Sequence, residues 1–205
     1  MKKIESIWHY LLFSALHSGK FQHTQQEIAD TFGYSLSTIH HALKIPSSIG
    51  AIRKSSKFFV LSNFKKLLYY FASFRNLERD IIYKVHVDQT VTQIEGFVPP
   101  ESIFACYSAA RKILKEPPAD YAKVYIYINS DELDVVKERF PSPSQKRMEP
   151  NLMVLKKHLS MQRYGVHTTL PQTFVDIWNL EDWYGQDFTN ALEEKMKELN
   201  DEILS

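Results

Sequence analysis

The chain has 205 residues and a mass of 24.0 kDa, with 44% hydrophobic and 24% charged side chains and a net charge of +1. That balance excludes a disordered chain, and the single cysteine, Cys106, excludes an internal disulfide framework or a multi-cysteine zinc site. No window approaches the roughly 18 consecutive apolar residues of a membrane span, and Glu5, His9, His17 and Ser18 interrupt the apolar start too often for a secretory leader. No membrane partner is expected, and the reading is of a cytoplasmic protein.

The net charge hides an asymmetry. Residues 1–66 hold nine Lys and Arg against three acids, a balance of +6, and the remaining sixteen and twenty-one leave −5. Such segregation suits a basic module that meets phosphates joined to an acidic module, although chance segregation would look the same.

In chain order, Ile4, Ile7, Trp8, Leu11, Leu12, Ala15 and Leu16 recur at helical spacing, which predicts a helix over 4–17 ending near Gly19. Thr24 with Glu27 makes a capping box for a second helix, Gln25 to Phe32, which Gly33 breaks. Ser35 caps a third helix through Lys44, with Leu36, Ile39 and Leu43 expected on its inner side and Pro46 just beyond its end.

The spacing within this stretch matters more than the helices. Ala29 is small where two helices cross, Gly33 suits a turn that needs positive φ, and Ile39 packs the second helix on the first. This is helix-turn-helix spacing, which leaves the second helix free to enter the major groove. Strand character over 49–53 and 57–61 flanks a basic turn, Arg53-Lys54-Ser55-Ser56-Lys57, so a two-stranded wing is expected. A bare three-helix domain with a solvated hairpin is the bland alternative.

On the DNA-binding reading, Lys44, Arg53, Lys54 and Lys57, with Ser55 and Ser56 in the wing, meet backbone phosphates, and Lys2, Lys3 and Lys20 add to the field. Ser35, Ser37, Thr38, His40 and His41 are the candidates for base edges or nearby phosphates. The third helix has no Arg, which argues against a bidentate guanine contact and for DNA shape as part of the readout.

Beyond residue 63 a helix is predicted over 64–77, carrying Phe64, Leu67, Leu68, Phe71, Phe74 and Leu77 on one stripe. Strands follow at 80–88 and 123–129, with a helix from about Glu101 to Lys115 between them. A helix capped by Ser130, an exposed proline-rich loop at 141–150, a strand at 150–158 and a short one in 163–170 come next. A helix after Pro171 and an acidic one from about Asp182 to Leu204 complete the chain. The expected fold is therefore mixed α+β: a winged helix-turn-helix over 1–63, then a small α/β domain over 64–205 entered by a connecting helix, 64–78.

Little in this second part carries chemistry. It has no glycine-rich phosphate loop and no HExxH, GxSxG or CxxC motif. Asp131, Glu132 and Asp134 fit a helix start better than a metal site, and no ligand spacing links His86, His158 and His167. Cys106 reads as a structural thiol inside an apolar helix. No catalytic residue, metal or cofactor is expected. In 168–194, Leu170, Phe174, Ile177 and Trp178 form an apolar face, with Asp176 opposite, placed to cap or to pair with a basic residue. Trp178, Trp183 and Tyr184 are a candidate partner surface.

Three segments, PPESIFACYSAARKIL (99–114), KVYIYIN (123–129) and TTLPQTFVDIWNLEDWYGQDFTNALEE (168–194), resemble those of AbiEi-type regulators, the antitoxin half of type IV toxin–antitoxin systems. Thr173, Phe174, Val175 and Asp176 carry the late signature, while Pro171-Gln172 stands where many members have Glu-Arg. The resemblance implies a cytoplasmic autorepressor that binds inverted repeats in its own promoter, with a second domain tied to neutralising a toxin. The readings carried forward are a homodimeric repressor bound to double-stranded DNA, a protein-interaction module whose winged helix is a scaffold for a toxin or other protein, and a ligand-responsive regulator.

Overall fold

A computed structural model describes residues 1–142 and 148–199. Half of the expected 141–150 loop, residues 143–147, and the end of the expected last helix, residues 200–204, lie outside the described residues. The protein is mixed α+β, with two small sheets among helices.

Helix α1 (Lys3–Ser18) ends at Gly19, whose φ of 62° permits the left-handed cap. A two-residue strand, β1 (Gln22–His23), leads to α2 (Gln25–Phe32) and α3 (Leu36–Ser48), and the hairpin β2 (Ile52–Lys54) and β3 (Phe59–Leu61) follows. The three strands form an antiparallel sheet in the order β1-β3-β2.

Helix α3 runs through Pro46 instead of stopping before it. A proline has no N–H to give to the carbonyl four residues back, which here belongs to Ala42. That carbonyl accepts the indole N–H of Trp8 at 2.7 Å, so the orphaned acceptor becomes the tie between α1 and α3. Trp8 also packs edge-on against Tyr70, Phe71 and Phe74 of α4 (Phe64–Phe74).

The second sheet has the order β4-β7-β6-β5, built from Ile81–Val85, Leu152–Lys156, Val124–Ile128 and Ile103–Ala105. Only the β6/β7 pair is parallel, and α7 (Leu133–Arg139) lies in its crossover. Strand β6 is buried along its whole length and shows the two-residue period. Val124, Ile126 and Ile128 join one core with Ile94 of α5 (Val91–Phe97) and Val136 of α7. Tyr125 and Tyr127 face a larger core that includes residues of α6 (Cys106–Leu114), α8 (Leu170–Trp178) and α9 (Gly185–Leu199).

That larger core runs unbroken from Ile7 and Trp8 of α1 through α4 to Phe174 and Phe188. Polar contacts reinforce the seam. Arg75 at the end of α4, 4% exposed, donates to Asp176 of α8 at 3.2 Å, to Glu5 of α1 at 3.3 Å and to the Tyr127 hydroxyl at 3.0 Å, and pairs with Asp80 at 2.7 Å. Tyr127 and Gln172 also donate to Asp176. Burial pulls the Arg75 guanidinium down, but Tyr127, Asp176, Asp80 and Glu5 around it hold it above its ordinary value. Burial pushes the Asp176 carboxyl up, against the pull of Arg75.

Several elements differ from the sequence expectation. The segment 101–115 is not one helix: 103–105 pairs with β6, and α6 begins only at Cys106. Cys106 sits at that strand-to-helix corner, with φ 47°, and is not in a helix interior. Helix α5 was not expected, and residues 159–164 form 3-10 turns, leaving only an isolated bridge at His167 where a short strand was expected. Asn129, not Ser130, is the cap residue that exchanges bonds with Glu132. Helix α8 starts at Leu170, capped by Thr169, so Pro171 lies in its first turn, where a missing N–H costs nothing.

Candidate nucleic-acid interface

The helix pair α2–α3 is set by its caps. The Thr24 hydroxyl accepts from the Glu27 N–H at 3.0 Å, and Ser35 accepts from the Thr38 N–H at 3.3 Å. Between the helices Gly33 has φ 65°, and its Cβ position is open space, so the demand for glycine there comes from backbone conformation and not from crowding. Ala29 and Ile39 are buried at the crossing, as the spacing predicts.

Ile39, Ala42, Leu43 and Pro46 make the inner face of α3. The opposite face presents Ser37, His40, His41, Lys44 and Ser48, all exposed and none acidic. Ser35 is exposed too, but its hydroxyl lies 2.9 Å from that of Thr38, which is partly buried, so these two serve the cap first. Leu36, expected to point inward, is 50% exposed. As the first residue of α3, before the helix meets its neighbours, it lies beyond the reach of the core.

The hairpin carries Arg53, Lys54, Ser55, Ser56 and Lys57, every one exposed. The turn is closed by the Ser55 N–H donating to the Phe58 carbonyl at 2.8 Å. A groove of about 330 Å³ separates this hairpin from the starts of α2 and α3, and its lining includes Thr24, Gln25, Gln26, Leu36, Lys54, Lys57 and Phe58. Lys44, Arg53, Lys54 and Lys57 make no ion pair among the described residues.

The three basic residues expected to add to the field are already engaged. Lys20 pairs with Glu27, Lys2 lies 4.6 Å from the Phe74 ring centroid and Lys3 5.2 Å from that of Tyr34. They remain part of the electrostatic field but do not belong to the hairpin face.

Of the expected partner surface, Trp183 is 82% and Trp178 43% exposed, whereas Tyr184 is buried against Tyr107 at 4.7 Å. Asp176, expected to cap or pair with a basic residue, is fully buried and pairs with Arg75. The carboxylates at the start of α7 have local partners: Glu132 completes a capping box and Asp134 reaches Lys137 at 3.8 Å. Among the described residues no three His, Cys, Asp or Glu cluster as metal ligands would, and no helix is long and apolar enough to cross a membrane. Burial raises the Cys106 thiol well above its ordinary value, away from the thiolate a nucleophile needs. No protein-family model, curated protein or solved structure matches this chain, so the functional reading rests on the geometry of the α3 and hairpin face.

Proposed function

We propose that residues 1–63 form a winged helix-turn-helix that binds double-stranded DNA, and that the protein is a transcriptional regulator, not an enzyme. Two observations carry this reading together: the outer side of α3 is exposed and acid-free, and the hairpin that follows it carries exposed cations with no ion pair among the described residues, across a groove from Leu36 at the start of α3. The element order α1-β1-α2-α3-β2-β3, with β1 closing the hairpin into a three-stranded sheet, supports it. Phosphates are the natural partner for cations that have no counter-charge among the described residues.

The AbiEi resemblance extends the proposal to an autoregulator acting as a homodimer on inverted repeats in the cytoplasm. On that reading Thr173 and Asp176, both fully buried, maintain architecture, and contact with a toxin falls to the exposed Trp178 and Trp183.

The test is a titration of DNA from just upstream of the protein's own gene at several salt concentrations, with wild type and an Arg53→Glu/Lys54→Glu variant. If Lys44, Arg53, Lys54 and Lys57 each meet a phosphate, log affinity falls against log salt with a slope of roughly −3 to −4 for one protomer and about −7 for a dimer on both half-sites. Binding that ignores salt, or that survives the double charge reversal, sinks the reading and turns attention to protein partners of the tryptophan surface.

A further inference from the structure

Leu36 is an apolar side chain, half exposed, at the start of the helix that the preceding reading places in the major groove. It lies in the groove, opposite Lys54, Lys57 and Phe58 of the hairpin and beside Gln25 and Gln26 of α2. The exposed polar residues of α3, namely Ser37, His40, His41, Lys44 and Ser48, include no Arg, Asn or Gln. The paired hydrogen bonds by which arginine selects guanine, or by which asparagine and glutamine select adenine, are therefore missing from the helix. Serine hydroxyls donate and accept equally well and discriminate weakly. One feature of the major groove is apolar, the C5-methyl group of thymine.

Resting on the DNA-binding reading, we propose that Leu36 is a specificity-determining residue that packs on a thymine methyl group, so that each half-site contains a thymine at one fixed position. Position favours Leu36 over the other exposed apolar residues of this face. The N-terminal residues of a recognition helix are the ones that reach base edges. Ile45 and Ile49, 48% and 38% exposed, lie at the far end of α3, and Phe58, 37% exposed, belongs to the hairpin that accompanies the backbone-contacting cations. Leu36 is also flanked by exposed cations, at 54 and 57 across the groove and at 44 along the helix, which would fix its register on the duplex.

The experiment selects tight-binding duplexes from a random pool with the wild-type protein, then replaces each thymine of a selected duplex by uracil, which removes only the methyl group. Affinity is expected to drop roughly fourfold, the value of burying one methyl group, at one thymine per half-site. In Leu36→Ala that same replacement is expected to cost less than about twofold, while Leu36→Met, which keeps apolar reach, retains the penalty. Selected duplexes that lack a fixed thymine, a flat uracil series, or a penalty unchanged in Leu36→Ala would each overturn the assignment while salt-dependent binding left the DNA reading standing. Absence of salt-dependent binding to any duplex would overturn both together.

Discussion

Arg75 and the hairpin cations Arg53, Lys54 and Lys57 occupy opposite electrostatic worlds. Arg75 is 4% exposed and meets Glu5, Asp80 and Asp176, so it fixes α1 and α8 against the end of α4. The hairpin cations are exposed and have no acidic partner among the described residues. A charge taken out of water must be answered within the chain, because an unanswered one costs several kcal/mol. A charge left in water costs little to fold and stays available to something outside. The seam therefore reads as architecture, and the hairpin cations, on the proposed function, as the side that meets phosphates.

The sharpest way to break this contrast is to treat the two regions alike. Arg75→Met is expected to cost about 3–5 kcal/mol, since it leaves buried carboxylates without their cation, and urea unfolding measures it. A loss under about 1 kcal/mol would mean that the seam charges are not structurally coupled.

Acid probes the same seam through His9 of α1, which is buried with its Nε2 2.6 Å from the Thr169 hydroxyl. Burial lowers its pKa to about 3. The folded imidazole thus stays neutral where the unfolded chain, with an ordinary imidazole near 6.5, takes up a proton. The stability concerned is fully present above that unfolded value and is lost as pH falls towards the folded one. Between pH 7 and pH 5 the loss is roughly 2 kcal/mol, and His9→Gln should flatten the pH dependence by that amount. An unchanged slope in the variant would place the titration elsewhere.

On the hairpin the expectation reverses. Arg53→Glu/Lys54→Glu should weaken DNA binding at least about tenfold while moving stability by no more than about 0.5 kcal/mol. A large fall in stability would show that these cations serve the fold after all. Ser35→Ala, which removes the cap of α3, should cost about 1 kcal/mol in urea unfolding. Smallest of all, Trp183→Ala should change stability by less than about 0.5 kcal/mol, because the indole is 82% exposed. A drop in affinity for a protein partner, with stability intact, would mark Trp183 as an interface residue.

Much of the α3 and hairpin face was legible because its signals are local. The Thr24–Glu27 capping box, the Gly33 turn and the run Arg53–Lys57 each depend on residues a few positions apart. Leu36 was misread for a related reason. Helical periodicity puts residues 36, 39 and 43 on one stripe, but only the tertiary arrangement determines how far along the helix the core extends. Tyr184 was misread in the opposite sense, since nothing local says that Tyr107 closes over it.

By itself the sequence determined the positions of α1, α2, α4 and β6, the turn at Gly33 and the acid-free basic face, because caps, periodicity and charge act over a few residues. Tertiary structure decided the rest. It turned 103–105 into a strand because β6 offered its edge, carried α3 past Pro46 because Trp8 took the freed carbonyl, and buried Asp176 beside an arginine 101 residues away in sequence. Each of those outcomes depends on a hydrogen-bond partner remote in the chain, and that is why no local pattern announces it.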